Sequence, residues 1–362
     1  MKKVMKGLAV LSMGLLIAGC SCNKKVEQPI EENHQTEKIN YISIPETLYA
    51  QVVDTTVRVT GTATNGGTSV GSGVVYKEEG NYAYILTNAH VVTNTSNADY
   101  YNNLEITFAN SIRVKGTNMG FDKNEDVAVI RIEKSDNYKV ATLAANDSAT
   151  AAPQAVMAIG QPNKQFFAPT IGEITSTRIK TSTSYISNST STLTYVFNST
   201  ATINTGNSGG PLFNAAGEVI AINTMIPAAT NNGETKVNHN YSIPVNYFKK
   251  VAEFVVTHAQ NESYVHANLS IVGKSIRDYS TSEISNLGLR IYKGVYVTSS
   301  SEDEISIQSV IRAVNGTPIE SVEDYEFELL KYSVGETIGL TICSPNGSNE
   351  RTVNIRLHSW LN

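Results

Sequence analysis

The sequence predicts a mainly β protein in two parts: a larger all-β domain closed by one helix, then a small α+β module. Three observations predict this. From about Thr47 the chain becomes a series of short runs rich in Val, Ile, Tyr and Thr, separated by Gly, Asn and Asp, the pattern of antiparallel barrels or sandwiches. An amphipathic stretch near 243–258 ends that series, and "AQNESYVHA" follows as a linker. Beyond it come a second, shorter set of strands and one clear helix. A chain of 362 residues is long enough for about two domains. Its 41% apolar and 17% charged residues can build real cores. The net charge of −5 argues against a nucleic-acid binder. With only Cys20, Cys22 and Cys343, no disulfide framework supports the fold, and Cys343 is expected as a buried thiol in a strand.

Taken in order, residues 1–19 are a leader. "MKKVMK" supplies three lysines and "GLAVLSMGLLIAG" an apolar run of 13 residues, too short for a comfortable bilayer span but right for a signal-peptide core. "IAGC" resembles the lipobox of bacterial lipoproteins, which implies cleavage before Cys20, lipidation of Cys20, and an extracytoplasmic protein anchored to the bacterial cell membrane. Residues 20–44 are polar and charged, too poor in apolar anchors to fold alone, and form a flexible tether.

"TTVRVTGTA", "SVGSGVVY", "NYAYILTNAHVV", "LEITFANSIRVKG" and "EDVAVIRIE" are the first strands of a domain spanning 45–258. Its closing helix, in "IPVNYFKKVAEFVVTH", puts Tyr247, Val251, Phe254 and Val255 on one face, with Asn246 as N-cap. The second domain, 265–362, has strands in "GVYVTSS" and "QSVIRAVNG". Its helix opens with Ser321 and Asp324 at capping-box spacing and carries a stripe of Val322, Tyr325, Leu329 and Tyr332. A hairpin with Asn346-Gly347 at its turn completes it.

"INTGNSGGPLF", 203–213, packs three glycines and a proline around Ser208. A turn would explain the glycines, but so would a nucleophile whose neighbouring amides must point at a developing oxyanion. Such a serine needs a histidine base, and the base needs a carboxylate to hold its tautomer. Of six histidines, His34 lies in the tether, His239 in a polar loop, and His258 and His266 flank the domain boundary, while His358 is nearly terminal. His90 ends an apolar strand, where a rigid scaffold holds it. Asp126 stands directly before the apolar "VAVIRI", with Glu125 and Asp122 as neighbouring alternatives.

The conjunction in the order His, Asp, Ser resembles the HtrA-type serine proteases, within the chymotrypsin-like double-barrel fold. "GTSVGSGVVY", "ILTNAHVV", "NEDVAVIRI" and "GNSGGPLFNAAGEVIAINT" carry the resemblance, and the C-terminal domain resembles the PDZ domain of these enzymes. The resemblance implies Ser208 as nucleophile, His90 as general acid/base and Asp126 as the orienting acid. It implies an oxyanion hole from the amides of Gly206 and Ser208. It also implies an apolar specificity pocket from Ile203, Ile222 and Ile226, which would take small or medium aliphatic residues. No cofactor is implied, and no metal-ligand cluster is visible in the sequence. The implied partners are unfolded or misfolded proteins, peptide C-termini, the membrane through Cys20, and two further copies in a homotrimer, with Tyr41 and Tyr49 as candidate contacts.

The chain also departs from the family pattern. Thr200 stands where an acid is usual and Thr205 where a proline is usual. In the PDZ-like carboxylate loop, Leu269, Ser270 and Ile271, Ser270 replaces a glycine. Two other functions compete with an endopeptidase, namely an envelope chaperone and a peptide-binding scaffold, but neither has a use for His90, Asp126 and Ser208 together.

Overall fold

A computed structural model describes residues 43–64, 66–94, 101, 103–145, 154–161, 165–182, 193–225, 240–258 and 264–359. Residues 1–42, on which the expected leader, the expected lipidation at Cys20, most of the expected tether and Tyr41 fall, lie outside the described residues, as does Ile226.

A short helix, α1 (Leu48–Val52), leads into the first six strands: β1 (Thr56–Thr62), β2 (Thr68–Glu79), β3 (Tyr82–Thr87), β4 (Asn103–Thr107), β5 (Arg113–Asp122) and β6 (Val127–Glu133). They close as an antiparallel barrel in the order β1-β2-β3-β6-β5-β4. A four-residue helix, α2 (Ala89–Val92), follows β3. The next six strands are β7 (Gln154–Gly160), β8 (Ala168–Ser182), β9 (Leu193–Ser199), β10 (Pro211–Asn214), β11 (Val219–Met225) and β12 (Asn240–Pro244). They close as a second barrel in the order β10-β11-β12-β9-β8-β7. Two six-stranded closed barrels make the chymotrypsin-like double barrel that the sequence leads one to expect.

The strand patterns follow from where each face goes. Along β3, Ala83 and Ile85 enter the interior of the first barrel, while Tyr84 and Leu86 enter a core shared by the two barrels. β6 divides the same way, with Ala128, Ile130 and Ile132 inside and Val127 and Val129 in the shared core. In β7, Val156 and Ala158 fill the second barrel, and Met157 and Ile159 turn to the shared core. A strand with both faces covered has no polar side, which is why these stretches read as unbroken apolar runs.

Helix α3 (Val245–Thr257) closes the double barrel. It buries Val245, Tyr247, Phe248, Val251, Ala252 and Val255, and begins after Pro244, so Asn246 lies inside the helix and is not its N-cap. Proline at the N-cap fixes φ but offers no side-chain acceptor, so no cap side chain serves the first amides of the helix. Phe254, expected on the buried face, packs only partly against the shared core and stacks on His258 at 4.0 Å.

The C-terminal part contains β13 (Ala267–Asn268), β14 (Ile271–Ser275), α4 (Thr281–Asn286), β15 (Val295–Ser300), β16 (Val310–Val314), β17 (Thr317–Pro318), α5 (Val322–Leu329), β18 (Thr337–Cys343), β19 (Arg351–Arg356) and β20 (His358–Ser359). Its main sheet runs β14-β15-β16-β18-β19, which leaves β14 as an edge. Ser321 caps α5 by accepting the Asp324 amide, but the Asp324 carboxylate accepts from Glu320, so the capping box is half formed. The complete box is at Ser280 and Glu283 on α4. The β18–β19 hairpin forms, but its tight turn is closed by Gly347 N–H donating to Ser344, which makes Pro345 and Asn346 the central pair. Proline there presets φ for the turn. Cys343 is a buried free thiol at the end of β18. Helix α5 also meets the second barrel, where Lys180 pairs with Glu326 at 2.7 Å and Phe327 packs edge-on against Tyr195.

Candidate active site

His90 lies in the single turn of α2 rather than at the end of β3, so the apolar strand delivers it and the turn presents it. Asp126 sits just before β6 with φ +57, a left-handed conformation that Asp tolerates better than most residues. The turn that puts it there is built by Asp122, whose Oδ1 accepts the amides of Asn124 at 2.8 Å and Glu125 at 3.0 Å. Asn88 Nδ2 donates to the Asp126 carbonyl at 2.9 Å, fastening this turn to the segment carrying His90. The two side chains then meet. His90 Nδ1 lies 2.9 Å from each Asp126 carboxylate oxygen, and the His90 amide donates to Oδ1 at 3.0 Å. Thr224 donates its hydroxyl to Oδ2 at 3.0 Å. Asp126 is fully buried, so these donors replace the water it has lost.

The neighbouring acids turn elsewhere. Glu125, also buried, accepts from the Tyr247 hydroxyl and lies 2.9 Å from His266 Nε2. Burial, with the Glu125 charge beside it, holds the Tyr247 phenol well above its ordinary pKa. Asp122 accepts the Tyr264 amide at 2.6 Å on its second oxygen. Burial raises its pKa above the usual carboxylate value, against the pull of the amides it accepts. The three acids of one short segment thus have three separate sets of partners, and only Asp126 touches His90.

The loop bearing Ser208 is pressed onto the strands that hold His90. Ser72, in β2, donates its hydroxyl to the Gly206 carbonyl at 2.7 Å and its amide to the Ser208 carbonyl at 2.8 Å. Thr87 in turn donates to the Ser72 carbonyl at 2.7 Å. Gly209 (φ +82) passes so close that a Cβ there would lie 2.3 Å from Thr87 Oγ1 and 3.1 Å from the Asn88 amide nitrogen. Gly206 (φ +103) would likewise clash with the Gln161 carbonyl at 2.1 Å. Only glycine fits at either position.

The amides of this loop divide into two sets. Asn207 N–H donates to Asn204 at 2.9 Å, Gly209 N–H to Asn223 at 2.8 Å, and Gly210 N–H to Asn207 at 3.0 Å. No described residue accepts from the amides of Gly206 or Ser208. A buried amide without a partner is uncommon and is a place where a ligand oxygen gains most. Ser208 itself is 5% exposed.

Ile203 is nearly buried and its amide donates to Asn240 Oδ1 at 3.1 Å. Ile222 is a correction: it is fully enclosed in the shared core, packed with residues of both barrels, and offers no face to a substrate. Thr200 takes the Glu173 amide on its hydroxyl at 2.9 Å, so it has a structural partner of its own. Tyr49, expected at a subunit contact, donates to the Phe167 carbonyl at 3.0 Å within the chain. The sequence reading missed Ser72, Thr87, Thr224 and Asn223. The glycines flanking Ser72 were a usable signal, since backbone packs tightly there; the other three look like ordinary strand residues. Among the described residues no cluster of His, Cys, Asp or Glu is arranged to hold a metal ion.

Residues 71–222 match the family profile of the trypsin-like peptidase domain. The chain is 30% identical over 299 residues to the serine protease Do-like HtrA of Lactococcus lactis subsp. cremoris (strain MG1363), covering 80% of this chain and 70% of that protein. It is 29% identical over 296 residues to the serine protease Do-like HtrA of Bacillus subtilis (strain 168), covering 79% and 63%. Among solved structures, an HtrA-type protease AlgW with tripeptide superposes with a TM-score of 0.59 at 20% identity, covering 87% of this chain and 97% of that one.

Proposed function

The chain belongs to the Do-like HtrA serine proteases and is a serine endopeptidase, and from that premise we propose that His90, Asp126 and Ser208 are its catalytic triad. The ionised Asp126 favours the His90 tautomer with its proton on Nδ1. The other ring nitrogen then takes the Ser208 proton as Oγ attacks the scissile carbonyl. The tetrahedral oxyanion is held by the amides of Gly206 and Ser208, each such donor contributing about 3 kcal/mol to the transition state. His90 returns the proton to the leaving amine, an acyl-enzyme on Ser208 remains, and water removes it by the same steps. The observation that carries this reading is the Asp126 carboxylate accepting both the ring and the main-chain N–H of His90. No step calls for a metal or cofactor. Ile203 contributes to an apolar specificity pocket in this reading.

The same reading makes the C-terminal part a PDZ-like domain. Its edge strand β14 and helix α5 border a groove of about 1000 Å³, where an extended peptide adds as a further strand. Substrates are then unfolded or exported proteins, met at the cell envelope by an enzyme anchored through Cys20 and assembled as a homotrimer. Casein hydrolysis by purified protein tests the activity: wild type cleaves and Ser208→Ala does not. Equal hydrolysis by both would assign the cleavage to another residue or to a contaminant. Sedimentation equilibrium at one or at three chain masses decides the assembly.

A further inference from the structure

We infer that the groove between β14 and α5 takes an internal stretch of extended polypeptide rather than a chain terminus, because Glu302 of this chain already occupies the loop amide that a terminal carboxylate needs. The inference rests on the strand-addition reading given above and specifies the ligand of that groove.

A terminal carboxylate is gripped by successive main-chain amides at the closed end of such a groove. Here the loop is Leu269, Ser270 and Ile271, and two of its three amides are spoken for. Ser270 N–H donates to Glu302 Oε1 at 2.9 Å. Ile271 N–H donates to the Leu269 carbonyl at 2.7 Å. Glu302 is held where it is. Its own amide donates to Ser300 Oγ at 3.1 Å, and the neighbouring Ser301 amide donates to the Ser270 carbonyl at 2.9 Å, which ties the two loops together. Its other oxygen lies 3.4 Å from His358 Nε2, on the strand next to the loop. The Glu302 side chain is 9% exposed, so the loop holds it in place against the Ser270 amide.

A terminal carboxylate entering here meets the Glu302 carboxylate, held in place by the loop, and finds the central donor taken. An internal segment brings no such charge. Its main chain pairs with the free edge of β14, its side chains reach Leu269, Ile271, Val322 and Tyr325 along the groove, and its continuation leaves over Ser270, which is exposed. The ligand class is thus an unfolded polypeptide gripped in mid-chain. Glu302 acts as a built-in substitute for the terminal carboxylate, and the partner expected from the sequence, a peptide C-terminus, is replaced.

Fluorescence anisotropy on the full chain carrying Ser208→Ala tests this with a set of labelled decapeptides ending in three aliphatic residues, each made as free acid and as C-terminal amide. Wild-type groove residues should bind the two forms with dissociation constants within about threefold of each other. Glu302→Ala, which frees the Ser270 amide, should bind the acids at least tenfold more tightly than the amides, a difference of about 1.4 kcal/mol. Glu302→Gln keeps an acceptor on that amide and should stay without preference. A tenfold preference for the acids in the wild-type groove or in Glu302→Gln would overturn the proposal, as would no gain of preference in a folded Glu302→Ala. If no peptide of either form binds any variant, the strand-addition reading itself fails, and this proposal with it.

Discussion

The carboxylates of Glu125 and Asp126, consecutive in the chain, serve different histidines: Asp126 holds His90, and Glu125 holds His266 from the start of the C-terminal part. The left-handed backbone at Asp126 lets two neighbouring acids leave the chain toward different partners. It also makes their roles separable by substitution. Asp126→Asn should lower turnover about 10⁴-fold through the wrong His90 tautomer. Glu125→Gln should spare turnover and instead destabilise the fold by about 1.5–3 kcal/mol, because hydrogen bonds to a buried charge are weakened. Kinetics and thermal melts on both variants check this. Turnover falling as far in Glu125→Gln as in Asp126→Asn would make Glu125 part of the catalytic machinery.

Thr205 is the second residue of the turn closed by Asn207 N–H on Asn204, with Gly206 at φ +103 in the third place. Proline suits the second position of such a turn, and among the described residues none accepts from the Thr205 amide that proline would remove. Thr205→Pro should therefore favour the ordered loop by about 0.4–1 kcal/mol, a factor of about two to five in the competent population. Basal peptidase rate should rise by that factor, and activation by added peptide should weaken. Unchanged basal turnover, with no activation of wild type by any peptide, would mean that the loop is always ordered.

Asp122 offers a pH test. Burial raises its pKa in the folded protein above the ordinary 3.8, despite the amides it accepts. The folded state then binds the proton more tightly than the unfolded state does. Its contribution to stability is full below the ordinary value and is lost as pH rises through the raised one. Asp122→Asn cannot titrate, so the melting temperature of wild type relative to the variant should increase as pH falls from 7 toward 4. A difference that stays flat over that range would show that Asp122 keeps its ordinary pKa in the fold.

Membrane attachment is tested at "IAGC". Cys20→Ala should abolish cleavage of the leader or release the protein from the membrane fraction, read by fractionation and intact mass. Unchanged partition and processing would rule out an anchor at Cys20.

In the first barrel β3 and β6 were legible because both their faces are covered, which writes them as continuous apolar runs between turn residues. β7 carries the same pattern but was not singled out, and closure into two barrels was implied by the family resemblance rather than by the runs themselves. Ser208, His90 and Asp126 stood out for the same reason, being polar residues at the ends of such runs or set among glycines. What was hidden depends on residues distant in sequence. That Ile222 belongs to the shared core and not to a pocket is decided by strands of both barrels. That Glu302 sits on the Ser270 amide depends on a loop 32 residues further along the chain. Asn246 was misplaced as a cap because Asn is a common N-cap, whereas Pro244 had already set the helix start.

The triad is tested most directly by the rate and position of labelling with a fluorophosphonate, which reacts only with an activated serine hydroxyl. The expected result is one adduct, mapped by mass spectrometry to Ser208, absent in Ser208→Ala and slowed about 10²–10⁴-fold in His90→Ala. Cleavage by the double variant should be little worse than by either single one, because the two residues act as a unit. An adduct on another serine, or His90→Ala labelled at the wild-type rate, would contradict the assignment of Ser208 and His90 as nucleophile and base.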